Sequence, residues 1–252
     1  MPIQRRRAAG SIRDSRSRSP AAAGFIAIIT AFLVSACQPA PAPRPLTAMD
    51  VVQRATETAR TLETVQIVLT VEGVTAPIAN GLGLTRAEGR LKRPNDAQLK
   101  LRLMFGTSTL ETELRAYDGR TYVRNPLGAR YEELSGTARI ALLDPESGMA
   151  SVMPTIIEPK LLEPQTESGI KHQAVQGQLP STSVSKLIGG TATGNSILVD
   201  ALVRETDWQL ARLRLAGAAL QGDQPEAVRV ITLSEWNEPV TIPPLPTPGS
   251  AT

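Results

Sequence analysis

The sequence predicts an α+β fold, a single domain in which helices cover the one apolar face of an antiparallel sheet. Three observations point there. Apolar residues recur at helical spacing up to Leu62 and then switch to a period of two. The period-two runs follow one another closely, and Asp118-Gly119 between two of them is a strong hairpin signal. A second helical stripe then divides the strands into two groups, giving the order helix, meander, helix, meander.

Taken in order, Thr47-Ala-Met-Asp50 reads as a helix start, with Thr47 as N-cap and Asp50 completing a capping box. Met49, Val52, Ala55 or Thr56, Ala59 and Leu62 form the stripe of a helix near 48–62. In Val65–Val71, residues Val65, Ile67, Leu69 and Val71 share one face and Gln66, Val68 and Thr70 the other. A strand over Leu82–Lys92 runs into the turn Arg93-Pro94-Asn95-Asp96. Ala97–Phe105 alternates cleanly, with Leu99, Leu101, Leu103 and Phe105 on one face. Thr109–Tyr117 and Arg120–Arg124 flank the hairpin turn.

A second helix is expected from Asp144-Pro145, since proline is tolerated in a first helical turn. Its stripe is Met149, Val152, Met153, Ile156 and Ile157. Strands follow near 170–179, 197–204, 210–220 and 226–236, with a turn at Thr206-Asp207 and a short helical piece at Val184–Ile188. Pro243-Pro-Leu-Pro-Thr-Pro248 opens a tail, 243–252, expected to be disordered.

The amino terminus reads differently. Residues 1–20 are rich in arginine and serine, and the uncharged stretch Ala21–Val34 is too short to span a bilayer comfortably but suits the apolar region of a signal peptide. Leu33-Val34-Ser35-Ala36-Cys37 then resembles the lipobox of bacterial lipoproteins. That resemblance implies a signal peptide over 1–36, cleavage before Cys37, acyl chains such as palmitate on Cys37, and anchoring at the outer face of the cell membrane. An ordinary signal peptide that happens to precede a cysteine is the alternative, and Arg5-Arg6-Arg7 leaves twin-arginine export open beside the general route. The stretch 37–46 with its alternating prolines is a semi-rigid tether.

Composition excludes several classes. The first 36 residues hold six arginines against Asp14, so the body that follows is close to neutral despite a formal net charge of +3 for the whole chain. No basic stripe remains for nucleic acid. The single cysteine, Cys37, is assigned to lipidation and the single histidine, His172, is expected exposed on the polar face of a strand. No thiol nucleophile, metal-ligand set, nucleophile elbow or phosphate-binding loop is therefore expected, and no cofactor. Glu111 and Glu113 share a strand face and so could pair as acid and base, but a solvated face accounts for them more simply. The reading is of a protein that is not an enzyme.

Four stretches carry a family resemblance: Leu62–Gly73, the hairpin Ala116–Val123, Asp144–Val152 and the closing Val230–Val240. With the lipobox, they make the chain similar to the LppX/LprA/LprF/LprG family of actinobacterial lipoproteins, which shares the fold of the LolA and LolB lipoprotein carriers. The long amino-terminal region, the Gly-rich insert around Ile188–Gly194 and the Pro-rich tail depart from the pattern. The resemblance implies an antiparallel half-barrel over 47–242, curled around helices and enclosing an apolar cavity for acylated lipids or glycolipids in transit through the envelope, with a membrane lipid exporter as a possible partner. Candidate cavity residues are Leu69, Val71, Leu99, Leu101 and Leu103 on strands and Met149, Val152, Met153 and Ile156 on the second helix. The same rows also describe a solid core. A sensor lipoprotein that binds a protein partner, or a structural surface lipoprotein without a ligand, remains the alternative.

Overall fold

The computed structural model describes residues 44–73, 75, 82–125, 130–134, 142–144 and 146–245. The export segment, Cys37, most of the tether and the tail from 246 lie outside the described residues. Helix α1 (Ala48–Arg60) opens with the expected capping box. The Asp50 N–H donates to the Thr47 hydroxyl at 3.2 Å, and the Thr47 N–H donates to the Asp50 carboxylate at 2.9 Å. Its buried stripe is Ala48, Val51, Val52, Ala55 and Thr56, whereas the expected Met49 is 53% exposed. Positions 48, 51, 52 and 55 share one helical face, and residue 49 falls about 100° away from 48.

Strands β1 (Thr64–Glu72), β2 (Gly83–Lys92), β3 (Asp96–Phe105), β4 (Ser108–Tyr117), β5 (Arg120–Arg124) and β6 (Tyr131–Glu133) form a first meander. Strands β9 (Ile170–Pro180), β10 (Ser196–Arg204), β11 (Leu210–Ala216) and β12 (Val228–Ser234) form a second, with β7 (Ile157–Leu161) and β8 (Gln165–Glu167) both pairing with β9. The last strand pairs with the first, so both meanders belong to one open, antiparallel sheet of order β6-β5-β4-β3-β2-β1-β12-β11-β10-β9-β7. The β4–β5 turn has positive φ at both Asp118 and Gly119, the backbone that a two-residue hairpin of this twist requires.

The second helix is much shorter than expected. It comprises one turn, α2 (Met149–Val152), continued by a 3-10 turn over Met153–Thr155. Pro154 lacks the N–H that would extend the ladder, and the chain leaves as β7 with Ile157 46% exposed. Asp144 caps an isolated turn instead, its carboxylate accepting the Glu146 and Ser147 N–H groups at 2.8 and 3.1 Å. Helix α3 (Ser181–Ile188) begins three residues before the expected piece. Helix α1 packs on α2 and against β7 and β9, α2 packs on α3, and α3 on β9.

Period-two alternation gives the outer face of β2–β5 a charged surface. Glu113 is its hub: one carboxylate oxygen accepts Arg115 Nε at 2.6 Å and Gln98 Nε2 at 2.8 Å, and the other accepts the Tyr131 hydroxyl at 2.8 Å. Partial burial opposes ionisation, but these hydrogen bonds and the Arg115 charge outweigh it and hold the carboxyl below its usual range. Burial and the bond to Glu113 together hold the Tyr131 phenol above its usual value. The expected solvated carboxylate is thus a half-enclosed structural one, its side chain 20% exposed.

Two predictions follow from this framework. Gly89 has φ +153°, and a Cβ there would stand 2.0 Å from the Gln98 carbonyl oxygen. Gly89→Ala is expected to cost about 2–3 kcal/mol in urea unfolding, and a near-neutral change would mean that β2 and β3 adjust freely. Because the folded Glu113 pKa is depressed, its contribution is present above the ordinary carboxylate value and lost as pH falls through the folded value. Unfolding curves from neutral pH down through that range should show a smaller acid-dependent loss in Glu113→Gln than in the wild type; identical pH slopes would exclude this role for Glu113.

Candidate functional site

The inner face of the sheet is built by strand register. Leu69 on β1 lies opposite Ala87 on β2, which lies opposite Leu101 on β3, which faces Thr112 on β4. Leu103 sits between Leu84 and Leu110, and Leu99 between Gly89 and Leu114. Across the other edge of β1, Leu69 meets Ile231 and Val71 meets Arg229. Strands β1–β4 therefore present aliphatic side chains to the same side.

The helical candidates arrive from the opposite side. Met149, Val152 and Met153 are each 2% exposed and Ile156 is 5% exposed. Ile156 reaches the sheet because Gly177 on β9 has no side chain: a Cβ there would stand 2.5 Å from Ile156 Cγ2. Leu69, Leu99, Leu101, Leu103, Met149, Val152, Met153 and Ile156 all belong to one continuous apolar cluster, and Val71 packs against it half-buried. Sheet row and helix stripe meet in it.

The cluster is densely filled beside the helices. A crevice of about 10 Å³ lies next to Met149, bordered by Leu62, Leu210, Leu233 and Trp236, and it has room for about one water. Toward the β2–β4 end the packing loosens. Leu82, Leu84, Leu110 and Leu114 are half-buried against the cluster, and Phe105, next along from Leu103 on the same face, is 58% exposed. These rim residues were missing from the candidate set, although Leu110 and Leu114 fall on the same period-two face as Thr112 and Ala116 and were readable from that spacing.

One ion pair interrupts this apolar face. Arg229, which lies between Val71 and Leu215, is joined to Asp223 at 2.6 Å with both side chains nearly inaccessible. Asp223 also accepts the N–H groups of Ala219 and Leu220 at 3.1 and 2.8 Å. At the opposite end of β11, Arg54 stacks on Trp208 and Arg204 on Trp236, with 4.4 and 4.1 Å to the ring centroids.

The remaining sequence candidates do not converge on a reaction centre. His172 takes the expected outward position on β9 but is 4% exposed, which corrects the expectation of exposure. It is enclosed because β8 returns alongside it at Gln165 and β10 flanks it at Arg204, while the β10–β11 turn bonds next door through Glu205 N–H to Lys171 O at 3.0 Å. Glu111 pairs with Arg102 at 2.9 Å and Glu113 with Arg115, so the two carboxylates are held apart in separate ion pairs. Among the described residues no three His, Cys, Asp or Glu side chains are grouped to hold a metal, and no helix is long and apolar enough to cross a membrane.

The arrangement is therefore an aliphatic surface with a loosened rim. Two solved structures share its architecture. LprF from Mycobacterium bovis matches with a TM-score of 0.61 at 20% identity, over 78% of this chain and 96% of that one. LppX from Mycobacterium tuberculosis matches with a TM-score of 0.57 at 15% identity, over 78% of this chain and 98% of that one. At such identities the likeness is one of fold. No curated protein matches the sequence. The sequence profile of the LppX_LprAFG lipoproteins, however, matches residues 47–242, from the N-cap of α1 to the last buried residue after β12, and the chain belongs to that family.

Proposed function

We propose that this protein is a non-enzymatic carrier, anchored through acylated Cys37 to the outer face of the cell membrane, that shields the acyl chains of lipids or glycolipids and moves them across the envelope. The observation that carries this reading is the graded inner face: an all-aliphatic cluster that passes from fully buried Met149 and Met153 to half-buried Leu84, Leu110 and Leu114. An acyl chain entering between sheet and helices needs an apolar threshold, and these half-buried leucines supply one. Each methylene shielded from water contributes about 0.8 kcal/mol, so long chains are retained without specific polar contacts.

The wall opposite the leucine rows suits a site that opens. Helix α2 is a single turn, too short to be stable without its packing, and it ends at Pro154. Displacing it would uncover Met149, Val152 and Met153, and methionine adapts readily to irregular apolar ligands. The anchor follows the same energetics, since two or three acyl chains on Cys37 give stable membrane attachment. A membrane lipid exporter is the partner such a carrier would serve.

Native mass spectrometry with lipid extraction, on soluble protein from residue 46 onward purified from a lipid-rich host, tests the carrier reading. Acyl lipid at close to one per protein is expected. A protein that stays empty when offered di- and triacylated lipids would favour a solid core and hence a sensor or structural role. Leu101→Trp and Met153→Trp separate the two physically. In a solid core each overpacking costs about 1–3 kcal/mol. In a site that expands for ligand, both variants should keep near-native thermal stability while losing most lipid loading, and Leu110→Trp at the rim should slow uptake. Unchanged loading in all three folded variants would remove this wall from the site.

A further inference from the structure

The other face of the same strands holds a cleft of opposite chemistry. Its volume is about 460 Å³, within the roughly 300–1,000 Å³ of small-molecule sites, and its charged lining residues all come from the outer face of β2–β5, with Leu101 and Thr112 of the inner row also bordering it. Leu101 is the one apolar member of its ten lining residues, so the cleft is unsuited to an acyl chain. Its carboxylates are all engaged by arginine: Glu88 by Arg86 at 2.7 Å, Glu111 by Arg102 at 2.9 Å and Glu113 by Arg115 at 2.6 Å.

Two cations are left over. Register places Lys100 between Glu88 on β2 and Glu113 on β4, and Arg124 beside Tyr131, whose hydroxyl bonds Glu113. Glu113 is the natural partner of both, but its two oxygens are already committed to Arg115, Gln98 and Tyr131. Among the described residues, neither Lys100 nor Arg124 has a carboxylate partner. The lining thus offers two uncompensated positive side chains beside three ion pairs. Glu88 and Glu111 each keep one carboxylate oxygen to which no described residue donates.

We propose that this cleft binds a phosphorylated polyol. The phosphate bridges Lys100 and Arg124 through charge-assisted hydrogen bonds, and polyol hydroxyls donate to the open oxygens of Glu88 and Glu111. A bare anion would leave those acceptors unused, and a neutral sugar would leave the two cations uncompensated. The same chemistry occurs in a free sugar or glycerol phosphate and in the headgroup of an anionic phospholipid. The proposal does not rest on the acyl reading, because the charged groups it uses stand on the face opposite the leucine rows.

Amide chemical-shift titration of the soluble body with glycerol phosphate, with glycerol as control, tests the free source. Sedimentation with phosphatidylcholine vesicles, with and without phosphatidylglycerol, tests the headgroup source. Saturable shifts centred on Lys100, Glu111 and Arg124 with glycerol phosphate alone support a soluble ligand. Binding confined to phosphatidylglycerol vesicles supports a headgroup. In either case Lys100→Ala and Arg124→Ala should each weaken binding about tenfold, and Lys100→Arg should restore most of it. Both side chains are exposed, so thermal melting should confirm that these variants fold. No response to either probe, or binding unchanged in the folded alanine variants, would overturn the proposal.

Discussion

The antiparallel pairing of β1 with β12 joins the beginning of the folded body to its end, and the inner face exists as one surface because of it. Register there sets Ile67 against Leu233 and Leu69 against Ile231. Without this seam each meander would end in a bare strand edge and half an apolar face, the arrangement that invites pairing with another chain. The seam is clamped where α1 hands over to β1. The Asn237 side-chain carbonyl accepts the Glu63 N–H at 2.8 Å, the Asn237 N–H donates to Thr64 O at 2.9 Å, and the Thr64 hydroxyl donates to Glu238 O at 2.7 Å. Glu235 and Asn237 both take positive φ to make these contacts, a backbone region that asparagine tolerates better than most residues.

Much of this was legible in the sequence, for reasons that differ by element. The capping box at Thr47 and Asp50 and the Asp118-Gly119 hairpin are local devices, so four residues suffice to read them. The leucine row of β3 is legible because alternation holds over the whole strand and the apolar members fall on one parity. The second helix was overextended because its stripe is as consistent with a buried turn and an exit strand as with a full helix. Only Pro154 argued otherwise, and Gly177 on a distant strand decides where Ile156 lies. Strands β6, β7 and β8 are three to five residues long and have no periodicity to detect. His172 carries a polar-face signal, yet tertiary neighbours on β8 and β10 enclose it.

The pair Arg229–Asp223 lay beyond sequence reading for a similar reason. Arg229 interrupts an otherwise apolar alternation in β12, and the composition of the strand alone does not say what compensates it. The answer is a carboxylate in the 217–227 loop that also collects two backbone N–H donors. Buried pairs of this kind contribute little net stability, because desolvating both ions offsets most of their attraction. Breaking one is costly, however, so the pair ties the loop to one position at the end of the inner face.

The two proposed sites follow from a single property of strands, the alternation of side chains across the sheet. On β3, Leu99, Leu101 and Leu103 belong to the apolar cluster, while Lys100 and Arg102 bring charge to the polar cleft, which Leu101 also borders. Neighbours in sequence therefore face unrelated chemistries, separated by the thickness of a hydrogen-bonded sheet whose pairings along the Leu101 row are continuous from β1 through β4, whereas β4 and β5 pair only over Leu114–Tyr117 and Arg120–Val123. A single amphiphile cannot place its acyl chains on one side of β1–β4 and its headgroup on the other without passing around the sheet or between β4 and β5, where the pairing stops at Leu114 and Val123. A lipid held by Leu101 that stays on the helical side shows its headgroup at the rim near Leu84 and Leu110. A phosphate held by Lys100 then belongs to a second molecule or to a surface on which the protein rests.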